Sequence, residues 1–160
     1  KSTLNAALPT LESLFITSAE KPGIQYIEGA QGVIELYEDI LRATKKHLYV
    51  FHSGFTDEGT VGETYYKRYL QKKAKRGIKT KILMPLIAEF KHLPLEEKKH
   101  NIVRKFLEPK EFNIPGDIAI YSGKVTVLIH KKDSIVGFVV ENKHFADSMK
   151  QIFNAMWKRS

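Results

Sequence analysis

Residues 117–142 read DIAIYSGKVTVLIHKKDSIVGFVVEN and contain three runs rich in β-branched residues, at 117–121, 124–130 and 134–140. Two short polar segments, Ser122-Gly123 and 131–134, separate these runs and are typical of tight turns. We therefore predict two or three consecutive antiparallel strands, placed in the middle of a sheet. The remaining layers of the fold must come from other parts of the chain.

The same segment contains His130-Lys131-Lys132, which has the H-x-K spacing that begins the phospholipase D motif H-x-K-x4-D. That chemistry needs a histidine nucleophile, a lysine that balances phosphate charge and an acid that orients the imidazole. The fifth residue after Lys132 is Gly137, and Asp133 lies directly beside the lysine. We therefore predict that His130 to Ser134 is a solvated hairpin tip without a catalytic carboxylate.

The rest of the chain alternates between apolar strands and amphipathic helices. Strands are predicted at 24–28, 47–53, 78–84 and 102–107, and helices at 29–46, 60–76, 95–100 and 143–159. Strand-helix-strand units with short links predict parallel strands joined by right-handed crossovers. The fold class is therefore α/β, with a mixed, mainly parallel sheet that has an antiparallel portion and carries helices on both faces.

Composition sets limits on the class of protein. The chain has 160 residues, of which 42% are hydrophobic and 28% charged, as expected for one globular domain. There is no apolar run of membrane-spanning length, and the absence of cysteine excludes disulfides and thiolate metal sites, so we expect a soluble cytoplasmic protein. The six histidines are dispersed along the sequence, so we expect no metal site, and we expect no cofactor.

The net charge of +8 favours contact with polyanions, and much of it lies in one acid-free segment. This basic segment is predicted to be either the solvated face of a helix and strand or a phosphate-binding surface. Its residues are Lys67, Arg68, Lys72, Lys73, Lys75, Arg76, Lys79 and Lys81.

The first residues differ from the rest of the chain. The side chains of Leu4, Leu8, Leu11 and Phe15 form a narrow apolar stripe if residues 1–20 are helical. The chain starts at Lys1, so we expect a piece of a longer protein, with residues 1–20 as the remnant of a dimerisation linker and 21–160 as the domain.

Four segments in this order resemble the phospholipase D-like effector domain of TrmB-like transcriptional regulators. They are Lys21–Gly29, Gly32–Leu41, Lys75–Lys79 and Ile135–Asn142, and the likeness spans 21–157. In this alignment, Ser122 stands where the catalytic histidine would be, Lys124 matches the lysine, and Ile129 replaces the acid. The resemblance implies a phospholipase D-like fold that has lost its catalytic groups.

The resemblance also implies a function. We predict a non-catalytic, effector-sensing and dimerising domain, which contacts DNA only through an N-terminal winged helix-turn-helix that this sequence does not contain. The effector would be a sugar or another metabolite, bound near the C-terminal ends of the parallel strands. The candidate ligand-binding residues are Glu28, His52, Ser53, Gly54, Ser122 and Lys124.

Two other functions are left open. A phosphodiesterase or nuclease would use His130 and Lys132, and its turnover would be lost in His130→Ala. A non-specific nucleic-acid-binding module would use the basic segment and would bind with a steep dependence on salt.

Overall fold

The described part of the chain forms seven strands and five helices. The computed structural model describes residue 7 and the ranges 23–55, 57–87 and 94–160, without the side chains of 94–96. In chain order the elements are β1 (Gly23–Glu28), α1 (Gly29–Ala43), β2 (His47–Phe51), α2 (Glu58–Val61), α3 (Glu63–Lys75), β3 (Lys79–Pro85), α4 (Pro94–Lys99), β4 (Ile102–Leu107), β5 (Gly116–Tyr121), β6 (Lys124–Lys131), β7 (Ser134–Glu141) and α5 (Lys143–Arg159). Apart from residue 7, the predicted linker helix of residues 1–20 lies outside the described residues.

The strands form one mixed sheet in the order β1-β7-β6-β5-β2-β3-β4. Among the described residues, β1, β2, β3, β4 and β6 point the same way, and β5 and β7 point the opposite way. The pairs β2–β3 and β3–β4 are parallel, and the other pairs are antiparallel. The predicted α/β class with a mixed sheet is therefore confirmed, but four of the six described strand pairs are antiparallel, so the pairing is not mainly parallel.

The predicted antiparallel strands at 117–142 are confirmed to within one residue at each end. The turn after β5 contains Ser122 at φ 42° and Gly123 at φ 76°, and it pairs Tyr121 with Lys124. Two successive positive φ values match the right-handed twist of the strands and allow a two-residue hairpin loop. This hairpin places β5 at the centre of the sheet, where its other edge pairs with β2.

The position of β1 differs from a simple β-α-β unit. β1 and β2 point the same way, but β7, β6 and β5 lie between them, and β1 pairs antiparallel with β7 at the sheet edge. Crossover rules determine the handedness and direction of such strands, but they do not say which later strands are inserted between them.

Helices cover both faces of the sheet. α1 and α3 pack on one face around Tyr37, Tyr69 and Leu128, and α5 packs on the other face through Phe153. The helix predicted at 60–76 is divided into α2 and α3 at Gly62, where φ is 86°. This backbone conformation suits glycine and ends a helix. None of the described helices is long and apolar enough to cross a membrane.

Candidate functional site

Polar side chains from three neighbouring strands lie together at one end of these strands. β2 and β6 finish at this end, and β5, which runs the other way, begins there. His52 follows β2, Asp117 is the second residue of β5, and His130 is near the end of β6. The topology therefore brings together residues that are far apart in the sequence.

Asp117 is held in place by the residue that follows His52. The backbone N–H and the hydroxyl of Ser53 each donate a hydrogen bond of 2.6 Å to Oδ1 of Asp117. The other oxygen, Oδ2, lies 3.4 Å from Nε2 of His130. Burial alone would raise the pKa of Asp117, but hydrogen bonds from His130 and Ser53 and the charge of His52 outweigh it and lower the pKa.

Asp57, which directly precedes α2, approaches the same imidazole from the helical layer. The Tyr37 hydroxyl donates a hydrogen bond to its Oδ2. Its Oδ1 lies 3.3 Å from Nε2 of His130, yet this buried atom accepts no hydrogen bond from the described residues. Burial raises the pKa of the Asp57 carboxyl, while the bond from Tyr37 opposes that shift.

The prediction that His130 belongs to a solvated hairpin tip is wrong. β6 continues through Lys131, and the His130 side chain is only 12% exposed, with the Phe55 ring 5.7 Å from its own. The hydrogen bond with Asp117 raises the pKa of His130, against the opposing effect of burial. The missing carboxylate is supplied by long-range contacts, whereas Lys132 and Asp133 do occupy an exposed turn. Asp57, Asp117 and His130 are called the His-Asp-Asp cluster below.

His52 lies beside this cluster in a defined tautomer. The Gly54 backbone N–H donates a 2.9 Å hydrogen bond to Nδ1 of His52, which places the proton of the neutral ring on Nε2. That Nε2 lies 4.0 Å from Oδ2 of Asp117. Burial lowers the pKa of His52, so the neutral form is favoured.

A cavity of about 270 Å³ lies between the sheet and the layer formed by α1, α3 and α4. Most of its wall is aliphatic or aromatic. The polar groups that line it include His52, Asp57, Lys73, Thr80, Arg104 and Asp117. The cavity therefore extends from the His-Asp-Asp cluster towards the middle of the sheet.

Lys73 is the unexpected cation in this cavity. The residue is 3% exposed, and its amine lies 5.5 Å from the centre of the Tyr69 ring. No hydrogen bond or ion pair joins its amine to any residue in the described ranges. Burial and, secondarily, the charge of Arg104 lower the pKa of Lys73 to about 7. Its prediction as part of a solvated or phosphate-binding surface is therefore wrong.

Two further polar atoms are buried near Lys73. Oγ1 of Thr80, a residue that is 1% exposed, and Nδ1 of His100 have no hydrogen-bond partner among the described residues. Arg104 differs, because it pairs with Glu97 and donates a 3.2 Å hydrogen bond to Sδ of Met84. Buried polar groups are normally satisfied, so this cavity wall has hydrogen-bonding capacity left over.

The six candidate ligand residues do not form one group. His52, Ser53 and Gly54 lie together beside the cluster. Ser122 and Lys124 belong to the hairpin at the opposite end of β5 and β6, where the Lys124 amine pairs with Asp39 at 2.8 Å. Glu28 is exposed at the end of the edge strand β1, opposite Val136. Ligand binding by these residues stays a prediction, but no single small molecule could contact all six.

The basic segment is also divided. Lys73 faces the cavity, and Lys81 lies under α5 with its amine 5.2 Å from the Trp157 ring, on the other face of the sheet. The remaining six residues are exposed: Lys67, Arg68, Lys72, Lys75, Arg76 and Lys79. A single phosphate-binding face made of all eight side chains is therefore excluded.

Asp57, Asp117 and the buried position of Lys73 were not predicted from the sequence, although the sequence contains one signal for Lys73. On α3, the positions Tyr66, Tyr69 and Lys73 are separated by three and four residues and therefore share one face. A lysine on the apolar stripe of a helix is a candidate buried cation. Asp57 and Asp117 offered no such signal, because their roles depend on contacts across the fold.

Comparison with known proteins identifies the fold. No protein family profile and no curated protein matches the chain. Among solved structures, TrmBL2, an archaeal chromatin protein with a novel mode of DNA binding, matches 99% of this chain at 16% identity and a TM-score of 0.55. This chain spans 62% of the length of TrmBL2.

Two phospholipase D-like proteins match as well. Nuc from Salmonella typhimurium, a phospholipase D family member, is 17% identical with a TM-score of 0.60, and the match covers 86% of this chain and 95% of Nuc. NucT from Helicobacter pylori is 16% identical with a TM-score of 0.60, over 85% of this chain and 97% of NucT. At these identities the likeness concerns the fold.

Proposed function

Because the chain has the phospholipase D-like fold that TrmBL2 and Nuc share, we propose that it is a non-catalytic regulatory domain that binds a small anionic metabolite in its internal cavity. The observation that carries this proposal is the buried amine of Lys73, which faces the cavity without a partner among the described residues. A charged amine in such a place is costly for folding, and functional sites are where such costs are retained.

The walls of the cavity suggest the chemistry of the metabolite. An anionic group, either carboxylate or phosphate, would pair with the Lys73 amine. Hydroxyl groups would satisfy Oγ1 of Thr80 and Nδ1 of His100, which have no hydrogen-bond partner among the described residues. The volume of about 270 Å³ is below the roughly 300–1,000 Å³ of sites for drug-sized ligands, so a sugar phosphate or a small organic acid fits better than a nucleotide.

The arrangement of His130 supports a non-catalytic role. A histidine nucleophile must turn an unprotonated nitrogen towards the phosphorus atom. Here Nε2 of His130 faces Asp57 at 3.3 Å and Asp117 at 3.4 Å. Lys132 lies in the exposed turn after β6, so it is not placed to balance phosphate charge beside that nitrogen.

The test is a thermal shift assay with matched charged and neutral probes. Glucose 6-phosphate, glycerol 3-phosphate and citrate are compared with glucose and glycerol. At about 100 times the dissociation constant, a bound anion should raise the melting temperature by roughly 5–10 °C. The neutral members of the panel should have little effect, because they leave the amine unpaired.

Two lysine variants on α3 make the assay specific. Lys73→Met keeps the length of the side chain and removes the charge, so the response to anions should disappear. Lys75→Met, which changes an exposed lysine on the same helix, should retain the full response. If no anion in the panel shifts the wild-type protein, or if both variants respond equally, the proposed binding site is wrong.

A phosphodiesterase is the second candidate, because the His130–Asp117 contact at 3.4 Å supplies the acid that the local sequence lacks. The assay is hydrolysis of bis(p-nitrophenyl) phosphate, with EDTA and with added divalent ions. Turnover in wild type and in the exposed control His144→Ala, together with its loss in His130→Ala, would favour this function. The regulatory proposal expects no turnover above that of His130→Ala.

The other sequence expectations stay predictions. These are the homodimer, the contact with DNA through an N-terminal domain, and the cytoplasmic location. Light scattering after size exclusion would measure the oligomeric state of this chain directly.

A further inference from the structure

The two carboxylates of the His-Asp-Asp cluster share one arrangement. In each, one oxygen is used by protein donors: Oδ1 of Asp117 accepts from Ser53, and Oδ2 of Asp57 accepts from Tyr37. In each, the other oxygen points at Nε2 of His130. Hydrogen bonds of this kind orient the ligating atoms in metal sites, where they are found behind the coordinating residues.

Asp57 provides an independent indication of a ligand. The residue is 8% exposed, and its Oδ1 accepts no hydrogen bond within the described ranges. A buried carboxyl oxygen that accepts no hydrogen bond has lost its hydration without compensation, which is unfavourable. A cation at this position would remove that cost.

The distances within the cluster fit a small divalent ion. Bonds of about 2.0–2.1 Å from zinc to nitrogen or oxygen place neighbouring tetrahedral ligands about 3.3 Å apart. Nε2 of His130 lies 3.3 Å from Oδ1 of Asp57 and 3.4 Å from Oδ2 of Asp117. All three donor atoms lie within 4.8 Å of one another, so the two carboxylates need to move only slightly towards each other to coordinate one ion.

His52 is not a fourth ligand in this conformation. Its Nδ1 accepts the Gly54 N–H, so the neutral ring carries its proton on Nε2, the nitrogen that faces Asp117. The imidazole therefore supports the carboxylate rather than the ion. This leaves three protein ligands, and Asp57 and Asp117 also line the cavity. A site with three protein ligands keeps at least one coordination position open.

We propose that Asp57, Asp117 and His130 bind one divalent transition-metal ion, for which Zn²⁺ is the best match, with its open position directed at the cavity. Nitrogen together with carboxylate oxygen donors suits Zn²⁺, Co²⁺ or Mn²⁺, whereas Mg²⁺ prefers all-oxygen octahedral sites. This inference departs from the expectation of no metal site that followed from the dispersed histidines, and it does not rest on the proposed function.

The experiment uses the full 160-residue chain after dialysis against EDTA. Titration calorimetry with Zn²⁺ should give one ion per chain, and Mg²⁺ at the same concentrations should give no signal. Co²⁺ should give the strong visible absorption of a tetrahedral site. X-ray absorption at the zinc edge should find one imidazole among a majority of oxygen ligands.

Substitutions locate the ion. His130→Ala, Asp57→Asn and Asp117→Asn should each weaken Zn²⁺ binding by at least about 100-fold, and Ser53→Ala, which removes a supporting hydroxyl, by about 10-fold. His144→Ala and Asp133→Asn change exposed groups and serve as controls with unchanged affinity. The spectra of the wild-type protein provide a test that does not depend on the folding of these variants.

Several results would overturn the metal site. These are a stoichiometry well below one, an all-histidine zinc environment, or unchanged affinity in folded His130→Ala. The probe assay repeated in EDTA separates the two proposals. If titration calorimetry finds no Zn²⁺ uptake and the Lys73-dependent response persists in EDTA, this inference alone is overturned, whereas Zn²⁺ uptake without any Lys73-dependent response overturns the proposed function alone.

Discussion

Lys124 is half-buried and Lys73 is buried, and they differ in whether the fold neutralises their charge. The Lys124 amine lies 2.8 and 3.1 Å from the two oxygens of Asp39, which also accepts a 2.9 Å hydrogen bond from Tyr121. Lys73 has no such partner in the described residues. The resemblance to the effector domain of TrmB-like regulators directed attention to Lys124, whereas the fold buries the amine of Lys73 without a hydrogen-bond or ion-pair partner among the described residues.

The carboxylates of Asp39 and Asp57, at opposite ends of the central strands, differ in the same way. Burial would raise the pKa of Asp39, but hydrogen bonds with Lys124, Tyr121 and Arg42 outweigh it and lower that pKa. In the His-Asp-Asp cluster, burial raises the pKa of Asp57, and one of its oxygens is left without a hydrogen bond among the described residues. A satisfied charge stabilises the fold, whereas an unsatisfied one indicates a site for a ligand.

The largest expected effect comes from removing the unsatisfied lysine. Lys73→Met should stabilise the protein at pH 7 by on the order of 4 kcal/mol, because each unit by which burial lowers the folded pKa of Lys73 below the value in an unfolded chain costs about 1.4 kcal/mol. Urea unfolding measures the free energy. Lys75→Met is the matched exposed control and should change the stability little.

A destabilised Lys73→Met variant would contradict the comparison. It would mean that the amine makes a favourable contact in the folded protein. The contrast between the two lysines would then have to be abandoned.

The second effect is a pH dependence of stability. The folded pKa of Lys73 is about 7, whereas an unfolded lysine titrates near 10.4, so the unfolded state binds the extra proton between these values. Stability should therefore rise with pH, by on the order of 2 kcal/mol between pH 7.5 and 9.5. Urea unfolding at both pH values should reveal this rise in wild type and not in Lys73→Met.

Other titratable groups around Lys73 could add to this dependence. Those on or beside the elements that form the cavity are Asp57 before α2, Glu58 on α2, Tyr37 on α1, Tyr66 and Tyr69 on α3, Glu97 on α4, His100 after α4, Arg104 on β4, His52 after β2 and Asp117 on β5. Burial raises the pKa of Tyr66 to about 12, above the window. An equal rise in both proteins would assign the effect to groups other than Lys73.

The smallest effect is expected at the ion pair of Asp39 and Lys124. Asp39→Asn should destabilise the protein by about 1 kcal/mol at pH 7, since this ion pair is partly open to solvent and is screened. The folded pKa of Asp39 is lowered, so its contribution is present above the unfolded value and is lost as the pH falls through the folded one. Unfolding curves at pH 7 and pH 3 should show the gap between wild type and Asp39→Asn closing. A gap independent of pH would contradict the role of the Asp39 charge.

Secondary structure was largely predictable because it depends on local patterns. β-branched runs and turn residues placed β5, β6 and β7 to within one residue, and helical periodicity placed α1 and α5. The division of the helix at Gly62 was missed, because a glycine within a helical pattern is often tolerated. The place of β1 beside β7 depends on long-range pairing and could not be predicted from its neighbours in the chain.

The candidate site was predictable only in part. His52, Ser53 and Gly54 were predicted to follow a strand, at the C-terminal end where parallel strands commonly bind ligands, and they do follow β2 beside the His-Asp-Asp cluster. Ser122 and Lys124 were grouped with them through the resemblance, but the direction of β5 and β6 puts that hairpin at the opposite end of the strands. His130 was assigned to solvent because a polar run between two apolar strands usually forms a turn.

By itself, the sequence determined the α/β class, the order of the elements and the position of His52, Ser53 and Gly54 at the C-terminal end of β2, since these follow from periodicity and strand direction. Only the tertiary structure decided which charges are neutralised. Asp117 and Asp57 reach His130, and Asp39 reaches Lys124, across gaps in the chain that local patterns do not span. The physical reason is that burial and pairing are properties of the packed layers, and the electrostatic cost of each charge depends on both.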